Sequence, residues 1–197
     1  MPWIGKVVRV HEQLTAGLPD DAFESDGLLT KRVLRAAALA ALAPRGDELL
    51  WDLGAGTGAI GIEWCRLSST NRAVAVERKS ERLERIARNA RRHGVHDRLT
   101  IVDADSGGAL TTLPAPDAVF VGGGVTEQVL QGAWNALRPG GRIVVHSVTA
   151  DSDALLLEAY RSHGGELSRV AVETAEPIGR FVGFKPARTV TAWAAIR

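Results

Sequence analysis

Cysteine is scarce in this sequence. A single cysteine, Cys65, occurs among the 197 residues. One thiol excludes an internal disulfide and a multi-cysteine metal site, so we expect no metal centre of that kind. Because Cys65 lies within an apolar pattern, we interpret it as a small core residue. The scarcity is consistent with a reducing compartment, and we expect the protein in the cytoplasm.

Long apolar runs and an excess of charge of either sign are also missing. No stretch reaches the roughly 18 apolar residues of a membrane span, and the first residues lack the pattern of a signal peptide. The formal net charge of +1 provides no overall attraction to nucleic acid. We therefore expect neither a membrane nor a nucleic acid as partner. The length and an apolar content of 45% predict one ordinary globular domain.

Short apolar segments alternate with amphipathic helical patterns from residue 48 onward. This alternation predicts an α/β fold, with a mainly parallel sheet covered by helices and a ligand at the carboxyl ends of its strands. Residues 1–27 lack periodicity and are interpreted as an N-terminal extension or linker, so the domain is predicted at residues 28–197. The predicted strands are 48–53, 72–76, 99–102, 117–121 and 142–147, and the predicted helices are 31–42, 59–67, 80–93, 127–137 and 151–163.

The most informative stretch is residues 50–58, where an apolar strand leads into three glycines at alternate positions. Gly54, Gly56 and Gly58 let the backbone lie directly against a ligand, and the helix that follows presents free N–H groups. Asp52 stands just before them. A carboxylate repels a pyrophosphate but attracts an ammonium group, so the motif favours S-adenosylmethionine (SAM), whose methionine end carries one.

A dinucleotide is the competing interpretation of the same residues. Gly56, Gly58 and Gly61 match G-x-G-x-x-G, and Glu77 follows at the spacing of the ribose-binding acid. The end of the chain argues against it, because residues 166–173 and 190–196 read as an antiparallel pair of strands. We therefore predict a Rossmann-like class I SAM-dependent methyltransferase, with a mainly parallel seven-stranded sheet and a C-terminal antiparallel hairpin.

Further cofactor residues are predicted where the other strands end. Glu77 ends the second strand, where its carboxylate can accept the ribose hydroxyls of the adenosyl group, and Asp105 follows the third, beside the adenine. Gly122 and Gly123 end the fourth strand and clear space over the transferable methyl. Thr30, predicted to cap the first helix, completes the set around SAM.

Six short segments of the chain form a more specific set than the glycine turn alone, at residues 17–21, 26–27, 30–32, 51–58, 121–124 and 183–187. Together they resemble the C-terminal domain of precorrin-6B C5,15-methyltransferase (decarboxylating) and its free-standing C15-methylating relatives. The resemblance implies a cobalamin-biosynthetic enzyme that methylates C15 of a precorrin with SAM and removes the ring C acetate carboxyl at C12. It further implies a homotetramer and a fused or separate C5-methyltransferase domain.

A precorrin carries many carboxylates, so its pocket should contain basic side chains beside aromatic rings. We predict substrate contacts from Lys31, Arg180, Lys185 and Arg188, together with Gly123. No residue is predicted as catalytic: His146, at the end of the fifth strand, is either a proton donor or a core histidine.

The basic helix at residues 78–92 leaves another function open. Its arginines and lysine belong either to a solvated helix face or to an RNA-binding surface. An RNA methyltransferase, or a methyltransferase for another small molecule, is therefore the alternative to the precorrin enzyme.

Overall fold

The computed structural model describes residues 15–197, so the first half of the predicted N-terminal extension lies outside the described residues. After a short 3-10 turn at Asp20–Ala22, helices and strands alternate. The elements in chain order are α1 (Arg32–Leu42), β1 (Leu49–Leu53), α2 (Ala59–Leu67), β2 (Arg72–Glu77), α3 (Ser80–Arg92), β3 (Leu99–Asp103), α4 (Ser106–Ala109), β4 (Ala118–Val121), α5 (Glu127–Ala136), β5 (Arg142–Ser147), α6 (Ala150–His163), β6 (Glu166–Val170), β7 (Glu173–Ile178), β8 (Phe181–Pro186) and β9 (Val190–Ile196).

One seven-stranded sheet carries the fold, in the order β3-β2-β1-β4-β5-β9-β6. The pairs from β3 to β5 are parallel, whereas β9 lies antiparallel between β5 and β6. The predicted mainly parallel sheet with an antiparallel C-terminal pair is confirmed. The strand order reverses beside β1, between β2 and β4, and in such sheets this is where a crevice for ligands forms.

Apolar side chains fill both faces of the sheet. One core joins α1 and α2 to the sheet through side chains such as Leu42 and Phe120, and the other lies beneath α5 and α6 around Trp51 and Trp193. The first core also includes Leu18, Ala22 and Phe23. The described part of the N-terminal segment therefore packs as an integral part of the domain's core.

The predicted helix cap at Thr30 was wrong: α1 begins after Lys31, and this cap residue makes no side-chain capping bond. The segment between the two strands predicted at the end of the chain forms an antiparallel two-stranded sheet, made by β7 and β8. Its residues 181–186 alternate apolar and polar side chains only weakly, which is why the sequence did not reveal a strand.

Within residues 15–197, no helix is both long enough and apolar enough to cross a membrane.

Candidate functional site

A cavity of about 600 Å³ opens at the carboxyl ends of β1, β4 and β5. Its size is typical of a pocket for a cofactor or a small substrate. The segment before α1 forms one wall, and the loop after β4 forms another. Eight of the residues predicted from the sequence line it: Thr30, Lys31, Asp52, Gly54, Gly56, Gly122, Gly123 and Arg188.

The glycine turn is pressed tightly against the loop that follows β4. Gly54 has φ +69°, and a Cβ built there would lie 2.6 Å from the carbonyl oxygen of Gly123. The N–H groups of Gly54 and Ala55 both donate to the carbonyl of Val76, at 3.0 Å each. Only glycine satisfies both the backbone conformation and the close approach at position 54.

Gly58 acts in packing, since it does not line the cavity. It begins α2 with φ +75°, and a Cβ there would meet Cγ2 of Ile86 at 2.9 Å. This contact lets α3 approach the turn closely, so the third glycine of the motif fixes the position of a helix.

Asp52 is a carboxylate in the cavity wall with few protein partners. Its side chain is 1% exposed, and Oδ2 accepts a hydrogen bond from the Gly61 N–H at 3.0 Å. Burial raises the pKa of Asp52 to about 7, against the effect of the Gly61 hydrogen bond and with a smaller contribution from the charge of Glu77. A cation bound in the cavity beside Asp52 would favour its ionised form.

Glu77 supports the glycine turn through hydrogen bonds and does not line the cavity. Oε2 accepts from the Gly56 N–H at 3.0 Å, while Oε1 accepts from the N–H groups of Arg78 and Lys79. A carboxylate has about four acceptor positions. Three are therefore occupied by backbone donors, which orients Glu77 at the end of β2 and leaves about one position for a ligand.

A buried arginine on α1 anchors the wall that contains Thr30 and Lys31. Arg35 is fully buried, and its Nε lies 2.7 Å from Oε1 of Glu63 on α2. Its Nη1 lies 2.7 Å from Oδ1 of Asp20 and donates to the carbonyl of Thr30, while Nη2 donates to the carbonyl of Leu18. One guanidinium thus fixes two parts of the N-terminal segment to the helices beneath them.

Arginines of α3 hold the rest of this wall. Arg82 and Arg85 contact Oδ2 of Asp26 at 2.9 and 3.2 Å, and Arg88 contacts Glu24 at 2.8 Å. Burial opposes ionisation of Asp26, but its hydrogen bonds from Arg82 and the Leu28 N–H outweigh that effect and lower its pKa to about 2. The basic helix is therefore bound to this protein's own acidic residues along one face.

The structure places three other predicted residues away from the cavity. Asp105 is exposed and caps α4, where it accepts from the Gly107 N–H at 3.0 Å. Arg180 and Lys185 lie on the β7–β8 hairpin. The Arg180 guanidinium packs over the ring of Phe181, and Nζ of Lys185 lies 3.4 Å from Oε1 of Glu176.

Arg82 and Leu34 are among the cavity residues that were not predicted from the sequence. Arg82 lines the cavity and reaches to within 3.8 Å of Oε2 of Glu77, but in the sequence it is one basic residue among many on its helix. Leu34 contributes an apolar wall from α1. Its helical spacing indicated burial but not which cavity it would face.

Comparison with known proteins identifies the family of this chain. A family model described as "Precorrin methyltransferase domain" matches residues 21–197. The chain belongs to this family. The C-terminal domain of precorrin-6Y C5,15-methyltransferase from Rhodobacter capsulatus superposes with a TM-score of 0.89 at 40% identity, covering 94% of this chain and all of that domain.

Two curated relatives differ in how much of their length this chain spans. It is 49% identical over 181 residues to "Precorrin-6Y C(5,15)-methyltransferase [decarboxylating]" from Sinorhizobium sp, covering 91% of this chain but 44% of that protein. It is 33% identical to "Probable cobalt-precorrin-6B C(15)-methyltransferase (decarboxylating)" from Pyrobaculum calidifontis, covering 91% of this chain and 97% of that protein. The chain thus spans less than half of the Sinorhizobium relative.

A more distant structure confirms the fold alone. A SAM-dependent O-methyltransferase from Thermotoga maritima superposes with a TM-score of 0.68 at 19% identity. The predicted Rossmann-like methyltransferase fold is therefore correct.

Proposed function

We propose that this chain is a SAM-dependent C-methyltransferase that methylates C15 of a precorrin tetrapyrrole and decarboxylates its ring C acetate at C12, in cobalamin biosynthesis. The observation that carries the proposal is the cavity at the glycine turn of a precorrin methyltransferase domain, with the buried carboxyl of Asp52 in its wall. The names of the relatives supply the substrate class.

The residues around the cavity fit SAM. An ammonium group beside Asp52 would balance a carboxyl whose burial otherwise opposes its ionisation. Gly54 and Gly56 bring bare backbone to the cavity, and the remaining acceptor position of Glu77 suits a ribose hydroxyl. When bound, SAM supplies an electrophilic methyl group on a sulfonium.

The substrate side of the site follows from the charge and space at the cavity's edge. Lys31 and Arg188 line the cavity with exposed side chains, where they can pair with acetate and propionate carboxylates. Gly123 leaves open space, since a Cβ there would meet nothing within 4 Å. Arg180 and Lys185 would reach the same substrate only at the periphery of a large macrocycle.

The main task of these residues is to align the macrocycle with the methyl group of SAM, because neither reactant needs strong activation. The meso carbon of the macrocycle is already nucleophilic through conjugation with its nitrogens, so holding it in line with the methyl group supplies most of the catalysis. No strong general base is required. RNA is disfavoured because Arg82, Arg85 and Arg88 are already paired with Asp26 and Glu24.

Self-association belongs to the same proposal. Ile178, Phe181, Val182 and Phe184 on the β7–β8 hairpin are exposed, and this two-stranded sheet pairs with no strand of the main sheet. An isolated hairpin with exposed apolar side chains is marginally stable in water, and such a patch marks an interface. We assign it to contacts between copies of this chain in a homotetramer. A C5-methylating domain, fused or separate, would supply the remaining half of the Sinorhizobium-type enzyme.

Mass spectrometry of a precorrin-6B type substrate, incubated with this chain and methyl-labelled SAM, tests the proposed reaction. We expect the substrate to gain one labelled methyl and to lose carbon dioxide. An unchanged tetrapyrrole, in the presence of demonstrated cofactor binding, would exclude this substrate.

A further inference from the structure

His146 is a buried polar side chain in the cavity wall that has no hydrogen-bond partner among the described residues. It is the penultimate residue of β5, is 8% exposed and lines the cavity. The ring of Phe120 packs against its ring at 5.0 Å between centroids, in an edge-on arrangement. Across residues 15–197, its ring nitrogens make no hydrogen bond, and neither belongs to the buried polar atoms that are sealed from solvent. The imidazole therefore offers its nitrogens to whatever occupies the cavity.

The imidazole is neutral at pH 7 in the free protein. Burial lowers the pKa of His146 to about 4, and no charged neighbour contributes to this shift. The charged groups that line the same cavity are Asp52 on β1, Lys31 before α1, Arg82 on α3 and Arg188 before β9. None of these groups shifts the pKa of His146. For the ring to become protonated, the ligand therefore has to supply an anion.

We propose that His146 is the catalytic proton donor for the decarboxylation, delivering a proton to the carbon that loses its carboxyl group. This inference rests on the proposed function, because only a substrate that loses carbon dioxide has a use for such a donor. The proposal adds a residue with a defined role to a site that the sequence left without a catalytic group.

The bound substrate would itself favour protonation of the His146 imidazole. A carboxylate placed beside a buried imidazole favours the imidazolium, so binding of the ring C acetate raises the pKa of His146 towards neutrality and draws a proton from solvent. Leu34, Ile60, Phe120 and Val190 provide apolar surroundings in the same cavity. A carboxylate that is poorly solvated there loses carbon dioxide more readily.

The step balances in atoms and charge. The bond between the acetate methylene carbon and its carboxyl carbon breaks, carbon dioxide leaves, and the electron pair stays on the methylene carbon and delocalises into the macrocycle. The imidazolium N–H then gives its proton to that carbon, which forms the new C–H bond of a methyl group. Neutral imidazole remains and takes its next proton from solvent, so no oxidant or reductant is needed.

His146→Gln, with His163→Gln as its matched control, tests this role. His163 lies on α6, where its ring stacks on Trp134 at 4.1 Å between centroids, and it does not line the cavity. We expect His146→Gln to slow carboxyl loss at least about 100-fold, as removal of a general acid does. Methyl transfer to a tetrapyrrole whose ring C already carries a methyl should stay within about threefold of the unsubstituted rate. His163→Gln should leave both rates unchanged.

The pH profile separates a chemical role from a structural one. In the unsubstituted protein, carboxyl loss should fall as pH rises through the pKa of His146 in the substrate complex. In His146→Gln, the residual rate should not vary with pH over the same range. Binding of S-adenosylhomocysteine (SAH), the demethylated product of SAM, should be the same in both.

The failures are distinguishable. If the unsubstituted chain transfers no methyl and removes no carboxyl, the proposed function fails and this inference fails with it. If the unsubstituted chain does both, the role of His146 is overturned by either of two results. One is carboxyl loss in His146→Gln within threefold of the unsubstituted rate, and the other is equal slowing of both reactions.

Discussion

Asp52 is a carboxylate that is 1% exposed, whereas Phe184 is an aromatic ring that is 72% exposed. The two residues belong to regions with opposite features. The cavity at the ends of β1, β4 and β5 buries polar groups, and the β7–β8 hairpin exposes apolar ones. Buried polar groups and exposed apolar patches are the informative departures from ordinary protein surfaces.

The buried polar cavity and the exposed apolar hairpin require different partners from outside the chain. Among residues 15–197, Asp52 has one hydrogen-bond donor and no paired cation, so we propose that a small positively charged group completes the cavity. Phe184 and its neighbours need an apolar cover, which a small polar ligand cannot give. We therefore assign a cofactor to the cavity and another protein surface to the hairpin, and each assignment can be tested separately.

The largest expected effect is on stability, at the buried arginine that anchors the cavity wall. Arg35→Met leaves the carboxylate of Glu63 buried without its cation, and breaking such a pair costs about 3–5 kcal/mol. Urea denaturation measures this loss. Arg161→Met is the control, because its pair with Glu158 is exposed and should contribute less than about 1 kcal/mol. Equal stability of the two variants would contradict the anchoring role.

The next largest effect is expected on cofactor affinity, at the glycine turn. Gly54→Ala places a Cβ 2.6 Å from the Gly123 carbonyl in a left-handed backbone conformation. The turn has to move, so we expect SAH to bind at least about 100-fold more weakly, which corresponds to about 2.8 kcal/mol. Calorimetry measures the affinity, with Gly108→Ala as control because a Cβ there meets nothing within 4 Å. Unchanged affinity in Gly54→Ala would separate the turn from the cofactor.

A smaller effect is expected from pH. With a pKa of about 7 in the folded protein, against about 3.9 when unfolded, Asp52 holds a proton between pH 4 and 7 that the unfolded chain releases. An SAH ammonium bound beside Asp52 would favour the ionised carboxylate. The affinity of the protein for SAH should therefore fall roughly tenfold per pH unit below pH 7 and level off above it.

Asp52→Asn isolates this contribution, because the amide cannot titrate. SAH should bind to this variant more weakly at pH 8, with no fall in affinity from Asp52 at lower pH. By the same linkage, Asp52 makes the unsubstituted chain less stable as pH rises from 4 to 7, whereas His146, whose pKa burial lowers to about 4, makes it more stable over much of that range. Only the contribution of Asp52 is absent from the variant, so the stability of Asp52→Asn relative to the unsubstituted chain should rise with pH across that range. Parallel pH profiles for the two proteins would contradict the role of Asp52.

The smallest effect on the fold is expected at the hairpin. Replacing Phe181 and Phe184 with serine removes exposed rings, so the free energy of unfolding of an isolated chain should change by less than about 0.5 kcal/mol. The proposed assembly should dissociate, which sedimentation velocity measures, while SAH affinity stays unchanged. The matched change Tyr160→Ser, at an exposed ring on α6, should leave the assembly intact. An unaltered sedimentation coefficient in the Phe181/Phe184 variant would exclude the hairpin as the interface.

The sequence predicted the fold well where its physical signals are local. Alternating apolar segments marked the strands of the main sheet, and the glycines after β1 marked the cavity. Side chains that act over long sequence distances were not predictable in the same way. Arg35 contacts Glu63 across 28 positions and Asp20 across 15, and no pattern in the sequence joins them.

The same distinction explains the site residues. Asp52, Gly54 and Gly122 end strands that lie side by side, so the parallel topology alone brings them together. Arg180 and Lys185 were predicted as substrate contacts because their segment combines basic and aromatic residues. Such a combination does not determine which way a hairpin projects. Arg82 was obscured by the many basic residues of its helix, and only the position of Asp26 and Glu77 distinguishes it.

Calorimetric titration of the unsubstituted chain with SAH, alongside a titration with NADH, decides between the SAM and the dinucleotide interpretations of the cavity. We expect saturable binding of one SAH per chain at pH 8 and no binding of NADH. Binding of NADH with no heat from SAH would contradict this expectation, and would return the glycine turn to the dinucleotide interpretation.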